Sequence, residues 1–200
     1  MNDTLDIRQR GPELTSPVTD RAGPRKGFIL WFTGMSGAGK STLAARLRPI
    51  FARGRPTEIL DGDEVRNYLS RDLSYSRADR DLNVSRIGFV ARLLARNGVA
   101  TIVAAISPYQ EARAEVRRLA VKDELPFVEV YVRANLSSLI ARDVKGLYRR
   151  AIAGELCNFT GISDPYEEPR EADVIVNTDQ EPVEASLRRV GTLLMGRGLI

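Results

Sequence analysis

One stretch of the sequence has the residue types and the spacing of a loop that binds nucleotide phosphates. Residues 32–42 read FTGMSGAGKST and contain the pattern G-x-x-x-x-G-K-[ST]. Glycines let successive backbone N–H groups point at phosphate oxygens, and the dipole of a following helix attracts the same anion. In such a loop the lysine contacts the β- and γ-phosphates, and the hydroxyl after it is a ligand of Mg²⁺. The pattern therefore predicts a site for ATP and Mg²⁺, built from Gly34, Met35, Ser36, Gly37, Ala38, Gly39, Lys40, Ser41 and Thr42.

A pair of carboxylates forms a second group of candidate residues. In TEILDGDEVR, residues 57–66, Asp61 and Asp63 flank Gly62 directly after an apolar run. Two carboxylates beside a phosphate loop can bind Mg²⁺, orient an attacking hydroxyl or accept its proton. We therefore expect Asp61 to bind the metal together with Ser41, and both aspartates to be catalytic along with Lys40. The alternative is that an aspartate here, Asp63 included, caps the helix that follows.

Five short apolar runs separated by helical patterns are the elements that must hold these residues. The runs lie at 28–33, 57–60, 99–106, 127–132 and 173–177. The helical patterns lie at 40–53, 63–70, 79–97, 110–123, 136–142 and 182–196. This alternation predicts an α/β fold, a doubly wound parallel five-stranded sheet flanked by helices, with ligands at the carboxyl ends of the strands. The apolar run before the phosphate loop and the helix after it also argue against a chance match in a glycine-rich turn.

Composition restricts the classes of function. The chain has 200 residues, of which 43% are hydrophobic and 28% charged, as in a single globular domain. It has no histidine, so carboxylates must do any acid or base chemistry, and its one cysteine, Cys157, cannot form an internal disulfide. The net charge of +4 is scattered, which favours a small anionic substrate over a nucleic acid. Because the sequence has neither an apolar run of about 18 residues nor an apolar signal core, we expect a cytoplasmic protein that does not enter a membrane. We expect residues 1–26 to form a flexible arm before a domain at 27–200.

Motifs beyond the phosphate loop resemble those of adenylylsulfate kinases. They are DGDEVRNYLSRDLSYSRADRDLNVSRIG from Asp61 onward, ISP at 106–108, RDVKGLYRRA at 142–151 and NFTGISDPYEEP at 158–169. The resemblance covers nearly all of 27–196 and implies the P-loop kinase fold. It also implies transfer of the γ-phosphate of MgATP to the 3′-hydroxyl of adenosine 5′-phosphosulfate (APS), which gives 3′-phosphoadenosine 5′-phosphosulfate and ADP in sulfate assimilation. A homodimer and a functional link to a sulfate adenylyltransferase are further implications.

The resemblance implies an acceptor site as well. Arg66 and Arg80 match acceptor-contacting arginines, whose planar forks suit a phosphate and a sulfate. Tyr75, where the family usually has phenylalanine, offers a face on which the acceptor adenine can stack. The implied substrate-binding set is Asp63, Arg66, Tyr75, Arg80, Asn83, Ile106, Ser107, Lys145, Gly146, Leu147, Phe159, Thr160 and Gly161. Lys145 is also implied to be catalytic, and Arg142 is implied to lie against the adenine of ATP.

Ser107 has three possible roles. In the family this serine has been assigned as a phosphoserine intermediate, which makes it a catalytic candidate. Direct in-line transfer to the acceptor is the chemically simpler route, because no histidine is present to activate a serine and a loose transition state needs mainly positioning. Ser107 would then bind the acceptor. A hydroxyl that caps the next helix is the third possibility.

Residues 142–169 have too little apolar periodicity for core and resemble the family's lid. Arg149 and Arg150 are expected on a solvated helix face. The sequence departs from the family pattern at Ala105, Ser85, Val144 and Asn177, which affects acceptor affinity more than reaction type. Two alternatives to the implied activity stay open: a P-loop kinase for another small hydroxyl acceptor, and a catalytically weak regulatory module that senses nucleotides.

Overall fold

A parallel sheet of five strands forms the centre of the molecule. The computed structural model describes residues 26–200, so the arm predicted at 1–26 lies outside the described residues except for Lys26. The strands are β1 (Phe28–Thr33), β2 (Thr57–Asp61), β3 (Ala100–Ala104), β4 (Phe127–Arg133) and β5 (Val174–Asn177). Their order is β2-β3-β1-β4-β5, and every neighbouring pair is parallel. The predicted fold class is therefore confirmed.

The strands are connected by helices. These are α1 (Lys40–Phe51), α2 (Gly62–Tyr68), α3 (Arg77–Arg96), α4 (Gln110–Lys122), α5 (Leu136–Arg142), α6 (Leu147–Ile152) and α7 (Val183–Gly196). Six of them match the helical patterns of the sequence to within two residues at each end. For α6 the sequence predicted only that Arg149 and Arg150 lie on a solvated helix face, which is confirmed. Its bounds were not predicted, since six residues with two buried positions, Tyr148 and Ala151, are too short to show a helical period.

The central strand β1 separates two layers of core. All six of its residues are buried. Side chains alternate across a strand, so Phe28, Leu30 and Phe32 join one hydrophobic cluster while Ile29 and Trp31 join the other. One cluster packs against α1 and α7, and the other against α3 and α4. This sandwich of helix, sheet and helix fixes the position at which the chain leaves β1 and enters the phosphate loop.

The carboxyl ends of the strands form one edge of the sheet, and the candidate residues follow them there. The phosphate loop follows β1, Asp61 ends β2, and Ser107 comes shortly after β3. The predicted third strand, 99–106, is too long, because β3 ends at Ala104 although the apolar run continues. Ser107 has a φ of +46°, which no strand residue adopts. Between Lys26 and Ile200, no helix is both long and apolar enough to cross a membrane.

Candidate active site

A cleft of about 390 Å³ lies at the carboxyl edge of the sheet. The phosphate loop forms one wall, called here the donor wall (residues 34–42). The opposite wall, the acceptor wall, contains Asp63, Arg66, Tyr75, Arg80, Asn83, Ser107 and Lys145. The cleft brings together sixteen of the residues predicted from the sequence: Ser36, Gly37, Gly39, Lys40, Ser41, Thr42, Asp61, Asp63, Arg66, Tyr75, Arg80, Asn83, Ile106, Ser107, Lys145 and Leu147.

The donor wall depends on glycine geometry and on one lysine. Gly37 and Gly39 have φ values of +73° and +101°, in the region that side chains with a Cβ rarely adopt. The Lys40 ammonium donates to the carbonyl oxygens of Gly34 and Met35, each at 2.8 Å, so it lies inside the loop. Burial, with the nearby charge of Lys145, lowers the pKa of Lys40 to about 8, although Asp61 and Asp63 oppose that shift.

Asp61 has two functions in the structure, one for each carboxylate oxygen. Its Oδ1 accepts a hydrogen bond from the Asp63 amide at 3.0 Å, so Asp61 is the N-cap of α2. Its Oδ2 accepts the Ser41 hydroxyl at 2.6 Å. The capping alternative is therefore confirmed for Asp61 and wrong for Asp63. Asp63 lies in the first turn of α2, and its carboxylate extends to the cleft.

An ion pair joins Asp63 to the far side of the cleft. The Lys145 ammonium donates to Asp63 Oδ2, and the two residues are 82 positions apart in the chain. Lys145 lies in the short connection between α5 and α6, where Gly146 has a φ of +66°. The pair places a carboxylate and an ammonium beside each other opposite the phosphate loop.

Two arginines and a tyrosine form the outer part of the acceptor wall. Arg66 donates to the carbonyl oxygens of Ser74 (2.8 Å) and Leu73 (3.2 Å), which fixes the chain just before Tyr75. The Tyr75 ring centroid lies 4.9 Å from the Arg66 Cζ and 5.5 Å from the Arg80 Cζ, within the range of cation–π contacts. Tyr75 is 58% exposed, so a planar group can still reach its ring.

Arg80 and Asn83 form the inner part of the acceptor wall on α3, and both are more than nine-tenths buried. Arg80 donates to the Tyr75 carbonyl and the Thr160 hydroxyl, each at 2.9 Å, and to the Asn158 carbonyl. It therefore holds segment 158–160, a function that the sequence did not predict. The Asn83 side-chain oxygen has no hydrogen-bond partner within residues 26–200. A buried amide that lacks a partner at a cleft is a site where a ligand donor fits.

The structure excludes one of the three possible roles of Ser107. Its hydroxyl accepts the indole N–H of Trp31 at 3.1 Å, and the N-cap residue of α4 is Tyr109. The helix-capping role is therefore wrong. Ser107 is 2% exposed and lies in the cleft wall beside Ile106, whose carbonyl accepts the Thr33 hydroxyl at 2.7 Å.

Eight predicted residues lie outside the lining of the cleft: Gly34, Met35, Ala38, Arg142, Gly146, Phe159, Thr160 and Gly161. Thr160 is buried and bonded to Arg80, and Gly161 packs against the donor wall, where a Cβ at 161 would lie 2.8 Å from Met35 Sδ. Arg142 donates to the Thr178 carbonyl at 2.7 Å. Gly34, Met35 and Ala38 are part of the phosphate loop, whereas Thr160 and Gly161 support the walls from behind. The contacts of all eight residues with substrates stay predictions.

The expectation that residues 142–169 contribute nothing to the core is wrong. Tyr148 is 2% exposed, packs edge-to-face on Phe159 with ring centroids 5.1 Å apart, and donates to the Ser36 carbonyl at 2.9 Å. Burial raises the pKa of Tyr148 to about 12. Farther along, the Tyr109 hydroxyl donates to Asp164 at 2.6 Å. Segment 158–168 is therefore fixed to the body by buried polar groups.

Some residues of the cleft were missed in the sequence, namely Asn67, Ala104, Pro108, Leu139, Asp143 and Tyr148. Most had no local signal, since each is common in helices and loops. Asp143 did have one, an acidic residue ahead of a helix start. Its carboxylate accepts the backbone N–H groups of Tyr148 (2.9 Å) and Arg149 (3.1 Å), which stabilises the start of α6.

Known proteins with similar sequence and structure point to one family. The family model described as adenylylsulphate kinase matches residues 26–177. An adenylyl-sulfate kinase of Myxococcus xanthus is 61% identical over 178 residues, 89% of this chain and 96% of that protein. A probable bifunctional SAT/APS kinase of Sorangium cellulosum is 52% identical over 166 residues, 82% of this chain and 28% of that protein. The solved APS kinase of Mycobacterium tuberculosis in complex with AMPPNP and APS is 40% identical, with a TM-score of 0.82 over 86% of this chain and 99% of that one.

Proposed function

The chain belongs to the adenylylsulfate kinase family, and we propose that it transfers the γ-phosphate of ATP to the 3′-hydroxyl of APS. The products are 3′-phosphoadenosine 5′-phosphosulfate and ADP, so the reaction is phosphotransfer to an alcohol acceptor. One observation carries the proposal: a single cleft joins the phosphate loop to a wall with the Asp63–Lys145 pair, two arginines and the buried amide of Asn83. A donor site and an anion-binding acceptor site therefore share one reaction space.

The donor wall binds the triphosphate. Backbone N–H groups of residues 34–42 surround the β- and γ-phosphates, and Lys40 leaves its two carbonyl partners to contact them. Ser41 and Asp61, whose oxygens lie 2.6 Å apart, fit Mg²⁺, which proteins usually hold through one or two oxygen ligands together with substrate phosphates. When bound there, the ion neutralises charge that develops on the phosphates. Arg142 lies against the adenine of ATP.

The acceptor wall orients the ribose. Asp63 accepts the proton of the 3′-hydroxyl, and Lys145 stabilises the charge of the transferring phosphoryl group. Arg66 and Arg80 bind the phosphate and sulfate of APS, and Asn83 accepts a hydrogen bond from the nucleotide. The adenine stacks on Tyr75, whose ring is partly open. No strong nucleophile is required in such a mechanism, because positioning and electrostatic stabilisation dominate phosphoryl transfer.

Ser107 binds the acceptor in this mechanism and carries no phosphate. Its hydroxyl is buried and accepts a hydrogen bond from the Trp31 indole N–H. In-line attack on the γ-phosphate would therefore require the backbone around Ser107 to move. Ile106 contributes backbone groups to the acceptor. Residues 142–169 act as the lid, in which Gly146, Leu147, Phe159, Thr160 and Gly161 close the site against water.

A competition assay tests the substrate. The purified protein is incubated with MgATP and with APS, AMP, adenosine or gluconate, and the products are separated by chromatography. We expect phosphorylation of APS at a rate far above that of the other three acceptors. Equal or better use of AMP, adenosine or gluconate would overturn the choice of acceptor, and the absence of any transfer would favour a regulatory module that senses nucleotides.

The stereochemical course separates the two roles of Ser107. With ATP that is chiral at the γ-phosphorus, one direct transfer inverts the configuration. Two transfers through a phosphoserine give net retention. Retention would therefore restore Ser107 as a covalent carrier.

The biological setting is part of the same proposal. We infer a function in sulfate assimilation in the cytoplasm, as a homodimer, with a sulfate adenylyltransferase as the supplier of APS. The bifunctional name of the Sorangium cellulosum relative supports the last point. Size-exclusion chromatography with light scattering, at protein concentrations spanning the micromolar range, tests the dimer.

A further inference from the structure

A buried arginine behind the acceptor wall contacts the two segments that meet at Ser107. Arg113, on α4, is 1% exposed. Its Nη1 donates to the Ser107 carbonyl at 2.6 Å, and its Nη2 donates to the Glu167 carbonyl and to Gln110 Oε1, each at 2.7 Å. Its Nε lies 2.9 Å from Glu129 Oε1 on β4. One guanidinium therefore links the segment after β3 to the end of segment 158–168.

Ser107 is held in a conformation that it would not adopt by itself. Its φ of +46° lies in the left-handed region, which is uncommon for a residue with a Cβ. Such a conformation persists only where the surroundings over-determine it. Arg113 holds the carbonyl of this residue, and Trp31 holds the hydroxyl at 3.1 Å. The backbone of the cleft wall is therefore fixed from behind by these two side chains.

Stability alone is a poor explanation for Arg113. It forms an ion pair with Glu129, which is 4% exposed, and burying two charges is costly enough that apolar residues often replace such pairs without loss of stability. A guanidinium does offer several donors in a fixed plane, which a lysine cannot reproduce. Three acceptors of Arg113 use this property, and two of them are backbone carbonyls of the loop and the segment to be positioned, those of Ser107 and Glu167.

We propose that Arg113 is a positioning residue for the acceptor, oriented by Glu129. It keeps Ser107 and the chain at Glu167 in the geometry that receives APS, and it does not contact the donor wall. The inference rests on the proposed function, because it specifies which substrate is affected. Loss of Arg113 should therefore weaken the use of APS and leave the use of ATP unchanged.

Kinetics of matched variants provide the first test. Arg113→Met leaves the buried Glu129 Oε1 without its charged partner, so the double variant Arg113→Met/Glu129→Gln removes both charges and guards against a protein that does not fold. For each we expect the KM for APS to rise about tenfold to a hundredfold, with a KM for ATP within twofold of the wild type. Arg113→Lys should give an intermediate KM for APS. Arg117→Met is the control, since Arg117 contacts the other Glu129 oxygen at 3.3 Å and Asp173 at 2.7 Å.

The only tryptophan of the chain provides a test that needs no activity. Because the Trp31 indole donates to the Ser107 hydroxyl, its single ¹H–¹⁵N side-chain resonance reports the position of Ser107. We expect this resonance to move in Arg113→Met/Glu129→Gln, to move in the reference variant Ser107→Ala, and to stay in place in Arg117→Met. A purely structural role of Arg113 would lower the melting temperature without changing the KM for APS selectively.

The outcomes separate the two proposals. A folded double variant with wild-type KM for APS and an unshifted indole resonance would overturn the positioning function of Arg113. An equal rise in the KM for APS and for ATP would overturn it as well. If the wild-type protein does not phosphorylate APS at all, the proposed function fails, while the indole resonance still tests whether Arg113 positions Ser107.

Discussion

The two walls of the cleft are built in different ways. The donor wall is one continuous stretch of nine residues, and its Lys40 bonds to carbonyls only five and six positions away. The acceptor wall is assembled from side chains whose partners are distant in the chain. Arg80 bonds to Thr160 across 80 positions, Trp31 to Ser107 across 76 and Lys145 to Asp63 across 82. Phosphate binding is therefore a local property of the sequence, whereas acceptor binding is a property of the folded chain.

This difference suggests how each wall responds to substitution. The donor wall acts mainly through backbone groups, so few of its side chains should matter individually, and Lys40 is the exception. The acceptor wall acts through side chains that position one another, so a change at one should alter the others. Asp61 is where the two walls meet, because it caps α2 with one oxygen and binds Ser41 with the other.

The largest expected effect is at the donor wall. Lys40→Ala should lower kcat by about a hundredfold to a thousandfold, because it removes a charge aimed at the transferring phosphoryl group. Steady-state kinetics with saturating APS measure this, with Lys122→Ala, an exposed lysine at the end of α4, as the control. Near-wild-type turnover in Lys40→Ala would mean that the backbone alone performs the donor function.

The second-largest effect on kcat is expected at the acceptor wall. Asp63→Asn should lower kcat by about a hundredfold, since the amide cannot accept the proton of the ribose hydroxyl, and the KM for ATP should change little. Glu64→Gln is the matched control, because it makes the same change at the next residue, which is also exposed. If both variants retained wild-type turnover, proton transfer to Asp63 would be excluded.

The pH dependence of kcat/KM for ATP should report on the donor wall, with a slope of about tenfold per pH unit. Lys40 has a pKa lowered to about 8, mainly by burial, so it loses its proton as the pH rises above that value. kcat/KM for ATP, which reports the free enzyme, should therefore fall above about pH 8. Lys40→Arg should lose this limb of the profile, because a guanidinium stays protonated. A limb that persists in Lys40→Arg would have to come from another group.

The same shift acts on stability in the opposite direction. An ammonium with a pKa of about 8 in the folded protein and an ordinary value of 10.5 in the unfolded chain binds its proton more weakly when folded. The unfolded state then binds more protons between these values, so Lys40 contributes a rise in stability as the pH increases from about 8 to about 10.5. Urea denaturation of wild type and Lys40→Met across that range measures it.

The smallest effect concerns the contact between segment 158–168 and the donor wall. Gly161 and Gly154 have similar φ values, +91° and +78°, so an alanine at either should cost about 1–2 kcal/mol of stability. An added Cβ at Gly161 would also meet Met35 Sδ of the donor wall at 2.8 Å, whereas at Gly154 no atom of residues 26–200 lies within 4 Å. Gly161→Ala should therefore raise the KM for ATP a few-fold and Gly154→Ala should not. Equal values of KM for ATP would show that the donor wall does not depend on this contact with segment 158–168.

The parts of the molecule that were predictable from sequence are those with local signals. Five apolar runs predicted five strands, and the glycine spacing predicted the loop, because burial and backbone geometry leave a pattern in consecutive residues. Arg113 left no such signal, since an arginine on an amphipathic helix is ordinarily solvated, and three of its partners, Ser107, Glu129 and Glu167, come from separate parts of the chain outside α4. The bounds of helix α6 were missed because the helix is short and because its buried residue, Tyr148, packs against Phe159 and the loop at Ser36.

The burial of β1 on both faces limits how this chain can change in length during evolution. Insertion of one residue between Phe28 and Gly34 would exchange the layers of Trp31 and Phe32 and displace the loop that follows. No other residue could take the position of Gly34, because a Cβ there would lie 2.3 Å from the Val132 carbonyl oxygen. The turn at Gly154 has open space around it and can accept extra residues. Relatives of this protein should therefore differ in length near residue 154 and keep the six-residue length of β1 directly before Gly34.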